Sequence, residues 1–263
     1  MAYTPLSFDQ YFINTSEDFN KTGRVSYKID YITVNYTPGN LLAKLGLMHT
    51  ADYELHYEEA RDAIQINFQC TAGASDWFAN IFEFSSKYYD AIDFQGEPLQ
   101  LRVHHGWGEM YRAVKHEIRD GWKALHDEHP SSKTEVIGWS LGSGIAALCA
   151  QDLNYNFGLR CTLLTYGSVK PFKAARRDRK RMRAYLDTVC GQCMNFADVN
   201  DLIAYMPPFR GFMTIRTVLL GTEYKRSLFK LVRPLIYHTH YDRPDLYRGV
   251  ECIATEPSGD LFA

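Results

Sequence analysis

Residues 136–150 read VIGWSLGSGIAALCA. Val136 and Ile137 have the look of a buried strand's end. Ile145, Ala146, Ala147, Leu148 and Ala150 have the look of a buried helix's start. Between them, Gly138-Trp139-Ser140-Leu141-Gly142 must turn the chain within a few residues. A tight strand–residue–helix turn forces its central residue into strained backbone space and brings the flanking chain close. Only small residues then fit two positions away on either side, which accounts for Gly138 and Gly142. Such a turn aims the Ser140 hydroxyl outward. It also aims the first helical N–H groups, beginning with Leu141, at whatever the hydroxyl attacks.

The rest of the chain supplies a setting for this turn. Strands are expected at 63–69, 99–104, 134–139, 160–166 and 192–199, and one or two more within 25–36. Helices are expected at 109–126, where apolar or aromatic residues fall at 111, 114, 118, 122 and 125, and at 141–153 and about 174–189. Asn40 caps a further short helix, LLAKLGLM. The segment 211–236 reads as two strands or an extended arm. Strands alternating with helices predict a mostly parallel central sheet with helices on both faces. No repeat and no Pro/Gly/Ser linker divides the 263 residues, so one domain over 1–263 is expected.

A serine nucleophile needs a base, and the base needs an orienting acid. In sheets of this kind the order along the chain is serine, then acid, then histidine. Of nine histidines, only His238 and His240 follow Ser140. Asp201 lies just past a predicted strand and before an apolar segment, where a buried carboxylate needs a partner. Asp198 is its local competitor for the acid, or else caps or braces the turn.

Five ordered blocks then resemble the class 3 lipases, the fungal triacylglycerol lipase type of α/β-hydrolase. They are Phe68-Gln-Cys-Thr71 with Asp76-Trp77 and Asn80, Val103-His-His-Gly106-Trp107 with Tyr111, Val136 to Gly142, Leu164-Thr-Tyr-Gly167, and Asn200-Asp201 with Ile203, Pro207 and Pro208. The resemblance implies Ser140 as nucleophile, Asp201 as acid and a C-terminal histidine as base. His240 is preferred, because Asp245 and Tyr247 trail it at nearly the family's spacing; His238 is the alternative. It also implies an oxyanion hole from Thr71 and the Leu141 backbone. A lid is implied at 75–84, with Trp77, Phe78, Ile81 and Phe82 on its apolar face and Asp76 on its polar one. The chain departs from the family at Trp139, Gln69, Cys70 and Ser143.

Composition is consistent with this and narrows it. Net charge is −2 and hydrophobic residues make up 46%, values that point to no nucleic acid partner. The first twenty residues contain no Lys or Arg and no continuous apolar run, and no stretch reaches the length of a membrane span, so an intracellular, cytoplasmic protein is expected. The six cysteines are expected to be free; Cys190-Gly-Gln-Cys193 lacks the companions a zinc site needs. No metal and no cofactor are called for. Residues 173–183, KAARRDRKRMR, are strongly basic and suit either a solvated helix face or an anionic lipid surface. The expected activity is hydrolysis of lipid or other acyl esters, with peripheral contact to a lipid surface. A phospholipase, thioesterase, peptidase or acyltransferase would use the same site, and a non-catalytic membrane-docking or scaffold protein would keep only the fold.

Overall fold

The structure is a computed structural model, and it describes residues 32–36, 49–68, 86–94, 97–198, 200–220, 238 and 241. In chain order the strands are β1 (Ile32–Tyr36), β2 (His49–Glu58), β3 (Ala63–Phe68), β4 (Ser86–Phe94) and β5 (Glu97–His104). Helix α1 (His105–Glu128), β6 (Lys133–Trp139), α2 (Leu141–Phe157), β7 (Thr162–Tyr166) and β8 (Phe172–Lys173) follow. Helix α3 (Arg179–Val189), β9 (Gln192–Asp198), β10 (Phe212–Met213) and β11 (Val218–Leu220) complete the described elements.

The larger sheet has the order β1-β2-β3-β6-β7-β9-β11. From β3 onward every neighbouring pair is parallel, while β1 and β2 join antiparallel. Every residue of β3, and all of β6 but its two ends, is buried, as expected for parallel strands covered by helices. The sheet grows in one direction from β3 to β9 through α1, α2 and α3, and right-handed crossovers set these helices side by side. Accordingly α1 packs on α2 and α2 on α3. A small antiparallel sheet, β10-β8-β5-β4, lies beside this core.

The expected elements form with shifted ends. The stripe on α1 buries Tyr111, Val114, Ile118 and Trp122 and half-buries Leu125. The helix expected from about 174 begins only at Arg179, after a 3-10 turn at Arg176–Asp178, and Ala175 is exposed. Strand β2 was not expected, yet its signal is in the sequence: Ala51, Tyr53, Leu55 and Tyr57 alternate with polar residues. Ala51 and Tyr53 are buried, and Leu55 and Tyr57 pack at the core's edge. The helix expected after Asn40, residues 25–31, and most of 211–236 lie outside the described residues.

Cys149, Cys161, Cys190 and Cys193 are free thiols. Hydrogen bonding with Cys161 and then Cys193, together with burial, holds the Cys190 thiol well above its usual range, while Cys193 donates to the Arg216 carbonyl at 3.2 Å. That makes Cys190 a poor thiolate, in keeping with a packing role. Among the described residues no helix is long and apolar enough to cross a membrane.

Candidate active site

Strand β6 ends at Trp139 and α2 begins at Leu141, leaving Ser140 alone at the bend. Its backbone lies at φ 56°, ψ −119°, a region that side chains other than glycine rarely occupy. The surroundings hold it there. Its N–H donates to the Tyr166 carbonyl at 2.9 Å, and its own carbonyl accepts from the Ser143 N–H at 3.1 Å and from the Ser143 hydroxyl. The Ser143 hydroxyl accepts in turn from the Val169 N–H at 3.2 Å. The serine that departs from the family pattern thus braces the bend.

Gly138 is required by contact. A Cβ there would stand 2.4 Å from the Gly142 carbonyl oxygen and 2.9 Å from the Ser143 nitrogen. No rearrangement of a side chain relieves a clash with backbone. As the first residue of α2, Leu141 has an N–H with no intrahelical acceptor.

Two segments from elsewhere converge on the serine. Asp201 follows β9 and opens a 3-10 turn over Leu202–Tyr205, accepting from the Ile203 N–H at 2.9 Å through Oδ1. Through Oδ2 it meets His238 Nδ1 at 2.7 Å. On the other side of the ring, His238 Nε2 lies 2.6 Å from Ser140 Oγ. A carboxylate oxygen only accepts, so the imidazole proton sits on Nδ1. Nε2 is then the acceptor, and the Ser140 hydroxyl donates to it. Ser140 and Asp201 have no exposed surface, and His238 is 4% exposed.

Among the described residues, His238, the alternative at the outset, is the histidine that touches both Ser140 and Asp201; the preferred His240 lies outside the described residues. So do Thr71 and the lid segment with Asp76, Trp77, Phe78, Ile81 and Phe82. Asp198 does what its competitor's reading gave it: its Oδ1 accepts from the Asn200 N–H at 2.7 Å, bracing the turn.

Three further residues belong to this array. Tyr241 is buried, and its hydroxyl donates to Asp201 Oδ2 at 2.8 Å while accepting from the Asp198 N–H at 2.8 Å. Gly167, at the end of β7 with φ 57°, lies under the imidazole. A Cβ there would approach His238 Cε1 to 2.6 Å and Asp201 Oδ2 to 3.0 Å. Trp139 donates its indole N–H to the His238 carbonyl at 3.1 Å and stacks on the imidazole, centroids 5.4 Å apart at 25°. Gly167 and Trp139 stood in the resembling blocks as pattern positions only; Tyr241 carried no signal of its own.

This array can pull the proton from a buried hydroxyl through an imidazole anchored by a carboxylate. Similarity of sequence and of fold gives it a family. The sequence profile described as lipase (class 3) matches residues 65–211, more than half of the chain. The chain belongs to the class 3 lipase family. It is a carboxylic ester hydrolase with the α/β-hydrolase fold. Solved structures similar to this lipase include a triacylglycerol lipase whose catalytic centre is described as a serine protease triad, at 19% identity over 84% of this chain and 83% of that one, with a TM-score of 0.61. The triacylglyceride lipase of Rhizomucor miehei is similar at 18% identity over 84% and 82%, with a TM-score of 0.59. A fungal lipase–inhibitor complex, described as a model for interfacial activation, is similar at 20% identity over 84% and 82%, with a TM-score of 0.61. Identities this low establish shared fold alone. A search of curated protein sequences finds no match. Among the described residues of the lipase, no group of three or more His, Cys, Asp or Glu is placed to hold a metal ion.

Proposed function

We propose that this protein hydrolyses lipid or other acyl esters through an acyl-enzyme on Ser140, with His238 as base and Asp201 as its orienting acid. The observation that carries this reading is the unbroken hydrogen-bonded run from Asp201 Oδ2 through His238 to Ser140 Oγ. Ser140 Oγ attacks the ester carbonyl as its proton passes to His238 Nε2. The carbonyl oxygen, now negative, turns toward the Leu141 N–H and the Thr71 segment. The imidazolium gives its proton to the leaving alcohol, and the acyl group stays on Ser140. A water molecule then loses a proton to His238, attacks the acyl carbon and releases the acid, restoring the hydroxyl.

Asp201 acts by fixing the tautomer and facing the positive charge that forms on the ring. Tyr241 and the Ile203 N–H hold the carboxylate still, and Trp139 holds the His238 backbone. Ser140 has no exposed surface. On the family resemblance, the amphipathic segment 75–84 serves as a lid over the site. The same chemistry would serve a phospholipase, a thioesterase or an acyltransferase, and substrate choice lies in the acyl and alcohol pockets.

The test is hydrolysis of a soluble short-chain nitrophenyl ester by wild type, Ser140→Ala and His238→Ala. Activity lost by at least about 10⁴-fold in both variants is expected. Undiminished turnover in Ser140→Ala would refute the reading.

A further inference from the structure

The connection between β7 and α3 carries a charge pattern that folding alone does not favour. Over residues 173–183 there are Lys173, Arg176, Arg177, Arg179, Lys180, Arg181 and Arg183 against the single acid Asp178, in a chain of net charge −2. The first turn of α3 holds Arg179, Lys180 and Arg181 and no acidic residue. Cations there oppose the positive end of the helix dipole, an unfavourable placement for a helix that serves packing only. Met182, Tyr185, Leu186 and Val189 bury the other side of the helix.

Some of these cations are engaged. Arg183 donates to the Thr214 carbonyl at 2.8 Å and lies 3.8 Å from Asp187, and Lys173 sits over the Phe212 ring at 4.6 Å. Arg176, Arg177 and Lys180 are exposed, the Arg177 side chain at 89% despite its approach to Asp178 at 3.5 Å.

Topology fixes which way this patch faces. A helix linking two parallel strands starts at the carboxyl end of the first, here β7, and returns to the amino end of the second, here β9. Ser140 stands at the carboxyl end of β6 and Asp201 follows the carboxyl end of β9. The basic start of α3 is therefore on the same end of the sheet as the candidate triad. Backbone bonds tie it to the segment leaving Asp201: Lys170 N–H to the Met206 carbonyl at 2.8 Å, and Ala174 N–H to the Gly211 carbonyl at 2.9 Å. At the tip of that segment, Phe209 is 49% exposed and Arg210 is exposed. An exposed aromatic beside a cluster of arginines, on the end of the sheet where the acyl ester must enter, has the chemistry of a seat for an anionic bilayer.

We infer that the 176–180 cations with Phe209 and Arg210 dock this protein on anionic lipid surfaces, with the active-site end of the sheet toward the bilayer. The choice of a bilayer over other polyanions rests on the acyl-ester reading given above. The charges act through the surface potential, within about a Debye length of ~10 Å, and Phe209 enters the head-group layer.

The experiment is co-sedimentation of the full chain with phosphatidylcholine vesicles, with and without phosphatidylglycerol, at low and high salt. It compares wild type, Phe209→Ser and the triple variant Arg176→Gln/Arg177→Gln/Lys180→Gln. Hydrolysis of a soluble short-chain ester and thermal melting are measured on the same samples. Binding that requires phosphatidylglycerol, falls with salt and weakens about a hundredfold in the triple variant is expected. Phe209→Ser should weaken it less and leave the salt dependence intact. Soluble-ester turnover and melting should not move in either variant. Equal binding to phosphatidylcholine alone, unchanged binding by the triple variant, or retention of a DNA duplex in preference to the vesicles would overturn the inference. Loss of soluble-ester turnover from wild type itself, with vesicle binding as expected, would instead count against the proposed activity and leave the docking surface standing.

Discussion

Two of the buried carboxylates in this molecule, Asp152 and Asp201, are held in opposite ways. Asp152 on α2 is 2% exposed and Asp201 after β9 is 0% exposed. Each accepts from a tyrosine hydroxyl, Asp152 from Tyr111 at 2.9 Å and Asp201 from Tyr241 at 2.8 Å. Asp152 also accepts from Arg119 along one guanidinium edge, from Nε at 2.7 Å and from Nη2, and from the Asn156 amide at 2.9 Å. Its charge is matched by a permanent cation, and the cluster clamps α1 to α2. Among the described residues, the ion-pair partner of Asp201 is the His238 imidazole alone. A buried carboxylate gains most from a fixed opposite charge. Asp201 forgoes it and faces a ring that becomes charged only when the serine gives up its proton. The clamp is at its most stable in the resting state, whereas the site keeps its best electrostatic match for the reacting one.

That contrast predicts which changes harm activity and which harm stability. Asp201→Asn should lower kcat by about 10⁴-fold, since an amide no longer enforces the Nδ1 tautomer, and should shift melting little. Asp152→Asn should do the reverse, costing up to about 3 kcal/mol in denaturant unfolding by leaving Arg119 without its countercharge, with kcat nearly unchanged. If both variants lose activity alike and stability alike, the distinction between the two carboxylates fails. Gly167→Ala drives a Cβ into the space of His238 Cε1 at a positive φ, and a displaced base should cost about 10²-fold in kcat with a smaller loss of stability. The smallest effects come from the two tyrosines. Tyr241→Phe should slow turnover by about tenfold, and Tyr111→Phe should cost about 1 kcal/mol of stability and leave turnover alone. Paired kinetic and unfolding measurements on the two variants check this crossing.

The sequence and the structure agree where local patterns decide. Strand β6, the Ser140 bend and α2 were legible because a fully apolar strand, a Gly-x-Ser-x-Gly turn and an apolar helix follow one another within a few residues. Asp201 was legible through chain order and the strand before it. The choice between His238 and His240 was not. They stand two residues apart, and which of them faces Ser140 depends on distant contacts: the Trp139 indole clasps the carbonyl of His238, and Gly167 leaves room for its ring. Family spacing favoured His240 and outweighed an order along the chain that suited both. Tyr241 was illegible for a related reason, since its partners Asp201 and Asp198 lie some forty residues earlier. Ser143 stood in the sequence only as a departure from the family pattern; the fold shows its hydroxyl bridging the Ser140 carbonyl and the Val169 N–H.

The central claim is that His238 activates Ser140. Labelling with a fluorophosphonate, with the adduct mapped by mass spectrometry, tests it directly on wild type, His238→Ala and His240→Ala, with detergent present to open any cover. The account predicts an adduct on Ser140 in wild type and in His240→Ala, and its loss in His238→Ala. An adduct that survives in His238→Ala and disappears in His240→Ala would contradict the account.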